Sequence, residues 1–130
     1  MHIIGIGTEI VECLRIGRMI ELHGEQFLTR VYTAEEIHFC QGRRRSMEHF
    51  AARWAAKEAV IKAWSGSRFA QRPVLPEGIH RDIEVITDMW GRPKVRLTGA
   101  IAQHLAEVTI HVSLTHEGDT AAAVAILETS

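Results

Sequence analysis

Charged side chains recur at helical spacing between Arg53 and Lys62. Arg53 and Lys57 are four residues apart, so on a helix they share a face, where like charges repel by about 0.2–0.5 kcal/mol. Glu58 precedes Lys62 by four residues, which is the order that favours an ion pair. Phosphate oxygens would relieve the repulsion, and a divalent cation would require a carboxylate such as Glu58. The spacing indicates a phosphate and metal site; a solvated amphipathic helix is the alternative.

A second carboxylate follows a glycine-rich strand near the N-terminus. Gly5 and Gly7 alternate with isoleucines, so one face of a strand predicted over 3–10 is bare, and a backbone or a ligand can approach it closely. Glu9 continues that face. Because Mg²⁺ typically takes one or two protein carboxylates besides substrate phosphates, Glu9 is the predicted second metal ligand beside Glu58. Alternatively, Glu9 stabilises the N-terminus of the following helix.

A third candidate lies near the C-terminus, in a predicted strand. His111, Ser113 and Thr115 alternate with apolar residues and therefore point to one side. Such a face suits an anion better than a core, although a solvent-facing strand edge would have the same pattern. The other histidines show no zinc-ligand spacing.

The net charge of −1 hides a strong asymmetry along the chain. Residues 41–72 carry eight basic and two acidic residues, a net charge of +6, whereas the segments on either side are both acidic. A concentrated positive segment favours a polyanion site. The pI of about 6.7, with three tryptophans and one tyrosine, argues against a nucleic-acid partner.

Three stretches together resemble the holo-acyl-carrier-protein synthases, the small 4′-phosphopantetheinyl transferases of bacterial fatty-acid synthesis. They are residues 5–12 (GIGTEIVE), 50–59 (FAARWAAKEA) and 111–116 (HVSLTH). The resemblance implies transfer of 4′-phosphopantetheine from coenzyme A to a serine of apo-acyl carrier protein, with Mg²⁺ as cofactor and release of adenosine 3′,5′-bisphosphate. It also implies an α+β fold and a homotrimer with active sites between adjacent subunits.

The resemblance assigns roles residue by residue. Glu9 and Glu58 would bind the metal, and both, with Lys62, are the predicted catalytic residues. Arg53, Lys57 and Lys62 would face the phosphates of coenzyme A, and His111 would lie near its nucleotide end. The proton acceptor stays open between Glu9 and a bound water.

Two departures from the family pattern stand out. The first motif usually ends in Asp, whereas here it ends in Glu9, one methylene longer. The segment after the long helix, residues 64–67, reads WSGS where relatives often carry Gly-Thr-Gly.

By resemblance, the acidic carrier protein would dock on Arg15, Arg18 and Met19 of the first helix.

Two alternative functions use the same residues. A non-catalytic coenzyme A or nucleotide-binding module would bind the phosphates without transfer. A metal-dependent pyrophosphate hydrolase would use water as the nucleophile instead of a serine.

The elements that must position these side chains follow from periodicity, capping and turn residues. They are a strand over 3–10, a helix ending at Gly24, a helix from the Thr33 capping box to Gly42, a long helix over 47–64 capped by Ser46, a loop over 66–80 with Pro73, Pro76 and Gly78, a hairpin of 83–88 and 94–97, a helix over 99–107 capped by Thr98, and a hairpin of 108–115 and 120–127. This order predicts one α+β domain over 1–130, a mainly antiparallel sheet packed with one long and several shorter helices.

Length and composition agree with one ordinary globular domain: 130 residues, 46% apolar and 24% charged. No apolar run reaches the length of a membrane span, and no basic region precedes the apolar N-terminal stretch. Cys13 and Cys40 are 27 positions apart without a CxxC motif. We therefore expect a reduced, cytoplasmic protein without a membrane partner.

Overall fold

The computed structural model of the chain describes residues 1–75 and 78–130. One long strand is followed by four helices, a hairpin, a short helix and a second hairpin. The elements are β1 (His2–Glu12), α1 (Cys13–His23), α2 (Glu25–Val31), α3 (Ala34–Gln41), α4 (Ser46–Gly66), a 3₁₀ turn (His80–Asp82), β2 (Ile83–Thr87), β3 (Pro93–Leu97), α5 (Gly99–His104), β4 (Val108–Glu117) and β5 (Thr120–Thr129).

The strands form two antiparallel sheets. The larger has the order β1-β5-β4, and the smaller is the β2–β3 hairpin. Alternate residues of β5 from Ala121 to Leu127 are buried, because α4 covers this inner face of the larger sheet. The predicted α+β class with a mainly antiparallel sheet is confirmed.

Helix α4 rests on β1 by direct contact between backbones. A Cβ atom added at Gly5 would lie 2.2 Å from the carbonyl oxygen of Ala63, and one added at Gly7 would lie 1.9 Å from that of Ala59. Both distances are too short for any side chain. The bare face of β1 therefore receives a helix backbone and not a ligand, which resolves the two possibilities left by the sequence.

Helix α4 meets the sheet with small residues of its own. Most of its fully buried positions are alanines. These alanines are Ala51, Ala55, Ala56, Ala59 and Ala63. Small side chains on the helix and glycines on the strand together let the two backbones approach. Side chains at the edges of this contact, including Glu9, consequently lie close to α4.

The local signals in the sequence fared unevenly. The capping box is present, since the Thr33 hydroxyl accepts from the Glu36 amide and the Glu36 carboxylate accepts from the Thr33 amide. Helix α2 was not predicted. Ser46 is the first residue of α4 and not its cap, because Arg45 occupies the cap position without a side-chain hydrogen bond.

The remaining boundaries shift by a few residues. Both strands of the last hairpin are longer than predicted, and α5 ends at His104. The Thr98 hydroxyl does not cap α5; it donates to Asp82 Oδ1 at 3.0 Å. Pro76, part of the predicted loop over 66–80, lies outside the described residues.

Two further expectations concern the compartment. Cys13 and Cys40 are both free and buried. Within the part of the chain that the structure describes, no helix combines the length and the apolarity that a membrane crossing needs.

The contact between β1 and α4 predicts a strong asymmetry between two glycine-to-alanine substitutions. In Gly7→Ala the new methyl group collides with the Ala59 carbonyl, so the free energy of unfolding should fall by about 3 kcal/mol or more. Gly66→Ala adds a methyl group with nothing within 4 Å, so stability should be unchanged or slightly higher. Urea denaturation of both variants measures the difference. Equal stabilities would contradict the backbone contact.

Candidate active site

Helix α4 carries its charged residues in two stripes that point in different directions. Arg53 and Lys57 form one stripe and are buried, with 4% and 0% of their surfaces exposed. Glu58 and Lys62 form the other stripe, and their side chains reach solvent. Each stripe has the four-residue spacing of one helix face, and the step from Lys57 to Glu58 rotates the side chain by about 100°. The sequence motif thus contains one structural pair and one accessible pair.

Glu9 and Lys62 form the first contact of the accessible site. Lys62 Nζ donates to Glu9 Oε1 at 2.6 Å, and this hydrogen bond raises the pKa of Lys62. The close approach of β1 and α4 brings together these two residues, which are far apart in sequence. Glu9 does not act on the N-terminus of α1, which begins at Cys13. Its partner is on α4.

Glu58 forms the second contact, with a histidine that the sequence did not single out. His80 Nε2 lies 2.8 Å from Glu58 Oε1. This hydrogen bond is the main cause that lowers the pKa of Glu58, and the charges of Lys62 and Arg15 add to it. The charge of Lys62 therefore acts on both carboxylates, and we treat Glu9 and Glu58 as one candidate site. His80 lies in no recognisable motif, so only the fold reveals it.

The donor set fits a Mg²⁺ ion that substrate helps to hold. Glu9 and Glu58 supply carboxylate oxygens, the hard ligands that Mg²⁺ prefers. Among the described residues, no group of three or more histidine, cysteine or acidic side chains forms a complete protein cage for a metal. A site with two carboxylates leaves the remaining ligand positions to phosphates and water, as is usual for Mg²⁺.

Lys57 is not where the sequence predicted. Its ammonium donates to Glu36 Oε1 at 2.7 Å, to the Ile83 carbonyl at 2.7 Å and to the His80 carbonyl at 3.0 Å. These three bonds use all three of its protons. The prediction that Lys57 contacts phosphates is therefore wrong in this structure. Burial lowers the pKa of Lys57, and the Glu36 carboxylate partly offsets that effect.

Arg53 also points into the protein. Its guanidinium carbon lies 4.2 Å from the centre of the Phe39 ring. The predicted repulsion between Arg53 and Lys57 is thus relieved by an aromatic ring and by Glu36, and not by phosphate. Arg53 Nε is buried without a hydrogen-bond partner in the described part of the chain.

His111 lies on the outward face of the larger sheet, together with Ser113 and Thr115. Its Nε2 is 3.0 Å from Glu128 Oε1. Helix α4 covers the opposite face of this sheet, so one chain does not bring His111 to Glu58. In a single chain, His111 therefore lies on an exposed strand, which was the alternative interpretation of this motif.

Two cavities of about 430 Å³ each flank the carboxylates. The first lies between α4 and the segment that precedes the 3₁₀ turn, and it is lined by Glu58, Ile61, Trp64, Leu75, Ile79 and His80, among others. The second includes Glu9 and Lys62 and continues over the outward face of the sheet.

Helix α1 borders this site with basic residues. The Arg15 guanidinium carbon lies 5.0 Å from the centre of the Trp54 ring. Arg15 and Arg18 are exposed, and Met19 is half-buried beside them. The predicted docking residues thus form one surface next to Glu58.

The chain matches the family model described as the 4′-phosphopantetheinyl transferase superfamily over residues 5–126. It is similar to a protein named holo-[acyl-carrier-protein] synthase from Mycobacterium ulcerans, with 64% identity over 130 residues that span all of both chains. The protein of the same name from Mycobacterium tuberculosis is 63% identical over 128 residues, 98% of each chain.

Solved structures agree with the sequence comparisons. Acyl carrier protein synthase from Mycobacterium tuberculosis superposes with a TM-score of 0.83 at 58% identity, over 99% of this chain and 100% of that one. A complex of the synthase from Chronobacterium ammoniagenes with coenzyme A superposes with a TM-score of 0.88 at 34% identity, over 100% of this chain and 99% of that one.

The two stripes of α4 predict opposite responses to the loss of an ammonium group. Lys57→Met leaves the Glu36 carboxylate buried without its cation, so the free energy of unfolding should fall by about 3–5 kcal/mol. Lys62→Met removes a half-exposed pair and should cost less than about 1 kcal/mol. Urea denaturation measures both.

A second substitution separates the ion pair from packing. Glu36→Gln in the Lys57→Met background removes the uncompensated charge, so it should recover part of the lost stability. A Lys57→Met protein of normal stability would contradict the structural role of this lysine.

Proposed function

The chain belongs to the holo-[acyl-carrier-protein] synthase family of 4′-phosphopantetheinyl transferases, and on that premise we propose how its residues carry out the reaction. The enzyme transfers the 4′-phosphopantetheine group of coenzyme A to apo-acyl carrier protein. The single observation that carries the assignment of the site is the hydrogen bond between Lys62 and Glu9, one helical turn from Glu58, with a cavity beside each carboxylate. We also propose that residues 1–130 form a single domain, which contains all three residues.

The reaction is a phosphoryl transfer to a serine hydroxyl. The serine oxygen of the carrier forms a bond to the β-phosphorus of coenzyme A. The bond from that phosphorus to the bridging oxygen breaks, and adenosine 3′,5′-bisphosphate leaves with the bridging oxygen. The serine proton passes to a base, for which this chain offers the Glu9 carboxylate. Positioning and charge stabilisation carry such a reaction, since no covalent intermediate with the protein is needed.

Glu9 and Glu58 are the proposed Mg²⁺ ligands and, with Lys62, the proposed catalytic residues. A bound Mg²⁺ would neutralise charge on the diphosphate. The fit of two carboxylates without further protein ligands supports this assignment. Glu9 is one methylene longer than the Asp that relatives usually carry, so Glu9→Asp should remain active and Glu9→Ala should not.

The phosphates of coenzyme A are proposed to meet Lys62 directly. Its side chain is 54% exposed, so it can exchange Glu9 for a phosphate oxygen. Arg53 and Lys57 are buried, so in our proposal neither touches the phosphates, and Lys57 acts by holding the backbone around His80. The apolar cavity beside Glu58 would receive the pantetheine arm.

The carrier protein is proposed to dock on α1. Arg15 and Arg18 are exposed, and Arg15 also contacts Trp54 next to Glu58. Acyl carrier proteins of this pathway are acidic, so these arginines would attract the partner through solvent. The short distance to Glu58 would then bring the serine of a docked carrier to the phosphates.

A homotrimer with active sites between subunits is the proposed assembly. Ile6 and Ile10 lie on the outward face of the sheet with 62% and 71% of their surfaces exposed. Two large apolar side chains exposed on one open face favour burial of that face against another copy of the chain. The same face carries His111, so a neighbouring subunit would bring its His111 toward Glu9 and the nucleotide end of coenzyme A.

The decisive experiment weighs the carrier protein after incubation with the enzyme, coenzyme A and Mg²⁺. The wild type should add the mass of one phosphopantetheine group to apo-acyl carrier protein. Glu58→Gln should lower this activity by at least about 100-fold with an unchanged melting temperature, because one of two metal carboxylates is lost. Near-wild-type turnover of Glu58→Gln at saturating Mg²⁺ would remove Glu58 from the metal site.

The same assay separates the two alternative functions. Cleavage of coenzyme A without a mass gain of the carrier would indicate a pyrophosphate hydrolase. Binding of coenzyme A without cleavage would indicate a non-catalytic module.

The assembly has its own test. Ile10→Glu places a charge in the proposed subunit interface and should raise the dissociation constant of the trimer by about tenfold or more. Met89→Glu is the matched control, because Met89 is 85% exposed on the β2–β3 hairpin, away from this face. Sedimentation velocity over a range of concentrations measures both. A fully active wild-type monomer would refute the shared site.

A further inference from the structure

His80 touches a proposed metal ligand without belonging to any motif of the family resemblance. It opens the 3₁₀ turn His80–Asp82, and its Nε2 lies 2.8 Å from Glu58 Oε1. An ionised carboxylate only accepts hydrogen bonds, so His80 must carry the proton on Nε2 and donate it. One oxygen of Glu58 is thereby engaged within the protein, and the other is left for a ligand.

The His80 ring is held from the side by an aromatic neighbour. It lies nearly parallel to the Trp54 ring, with an angle of 8° between the planes and 6.5 Å between the centres. Trp54 is on α4, one turn before Glu58. The helix that carries the carboxylate therefore also carries the surface against which the histidine rests.

The His80 backbone is held from below. Lys57 Nζ donates to the His80 carbonyl at 3.0 Å and to the Ile83 carbonyl at 2.7 Å. Because Lys57 is fully buried, these bonds are protected from water. They tie both ends of the 3₁₀ turn to α4, and the turn cannot slide along the helix without breaking them.

We infer that His80 is a positioning residue, which holds one oxygen of Glu58 by a hydrogen bond and thereby directs the other oxygen to the metal. The inference rests on the proposed metal site. Partners of metal-binding carboxylates typically contribute about 10–100-fold to metal affinity, because they remove the freedom of the ligand to turn away. Lys57 acts one step further out, through the His80 carbonyl.

The test is a set of three substitutions that separate the hydrogen bond from the stacking. His80→Gln keeps a donor at about the reach of Nε2 and loses the ring. His80→Phe keeps a ring on Trp54 and loses the donor. His80→Asn carries the same amide as Gln, one methylene too short for Glu58. If His80→Phe lowers the yield of folded protein, the comparison of His80→Gln with His80→Asn still decides whether the hydrogen bond matters.

The primary readout is metal affinity and not activity. Mn²⁺ serves as a paramagnetic substitute for Mg²⁺ and is titrated into each protein with and without coenzyme A, with free Mn²⁺ measured by electron paramagnetic resonance. His80→Phe and His80→Asn should bind Mn²⁺ about tenfold more weakly than the wild type, whereas His80→Gln should stay within about threefold. In the transfer assay, the Mg²⁺ concentration at half-maximal rate should rise in His80→Phe and His80→Asn and stay near the wild-type value in His80→Gln.

The outcomes distinguish failure of this inference from failure of the proposed metal site. Wild-type affinity in His80→Phe and His80→Asn, with weak binding in Glu58→Gln, would overturn the role of His80 alone. Equal loss in His80→Gln and His80→Asn would overturn the hydrogen bond as its cause. Equal Mn²⁺ binding by wild type and Glu58→Gln would overturn the metal site and this inference with it.

Discussion

The contact between the backbones of β1 and α4 is the constraint on which the site depends. Gly5 and Gly7 lie under the carbonyl groups of Ala63 and Ala59, at distances that exclude any side chain. Any side chain at these two positions would push the helix away from the strand. Glu9, the next residue on that face of β1, lies within hydrogen-bond distance of Lys62 because the two backbones approach so closely. The glycines thus act on the chemistry through geometry, without touching a substrate.

A buried ion pair fixes the second half of the site. Glu36 belongs to the capping box of α3, and its two oxygens also receive the Lys57 ammonium and the Val85 amide. Lys57 in turn holds the backbone of the 3₁₀ turn. One carboxylate and one ammonium therefore connect α3, α4, β2 and the turn that carries His80. A buried pair of this kind contributes little net stability compared with apolar residues, but it leaves few alternative arrangements of the four elements.

The sequence allowed prediction of the elements with strong local signals, and it singled out Glu9 and Lys62, which the fold brings into contact. The Thr33 capping box, both hairpins and the long helix were found because each depends on residues within a few positions. Helix α2 has no capping side chain and only seven residues, so tertiary packing and not local preference forms it. His80 and the burial of Lys57 were missed for a related reason: both depend on contacts with residues more than 20 positions away.

Helix geometry explains why one motif contains both buried and accessible charged residues. Arg53 and Lys57 are separated by four residues, and so are Glu58 and Lys62, but the two pairs are offset by about 100° around the axis. In the sequence, these four residues form a single run of charges. The fold buries one pair against α3, β2 and the 3₁₀ turn, and it leaves Lys62 of the other pair beside the edge of β1, where solvent reaches it. Charge and spacing predict that a helix face is used, but only its neighbours decide whether that face holds the protein together or holds a substrate.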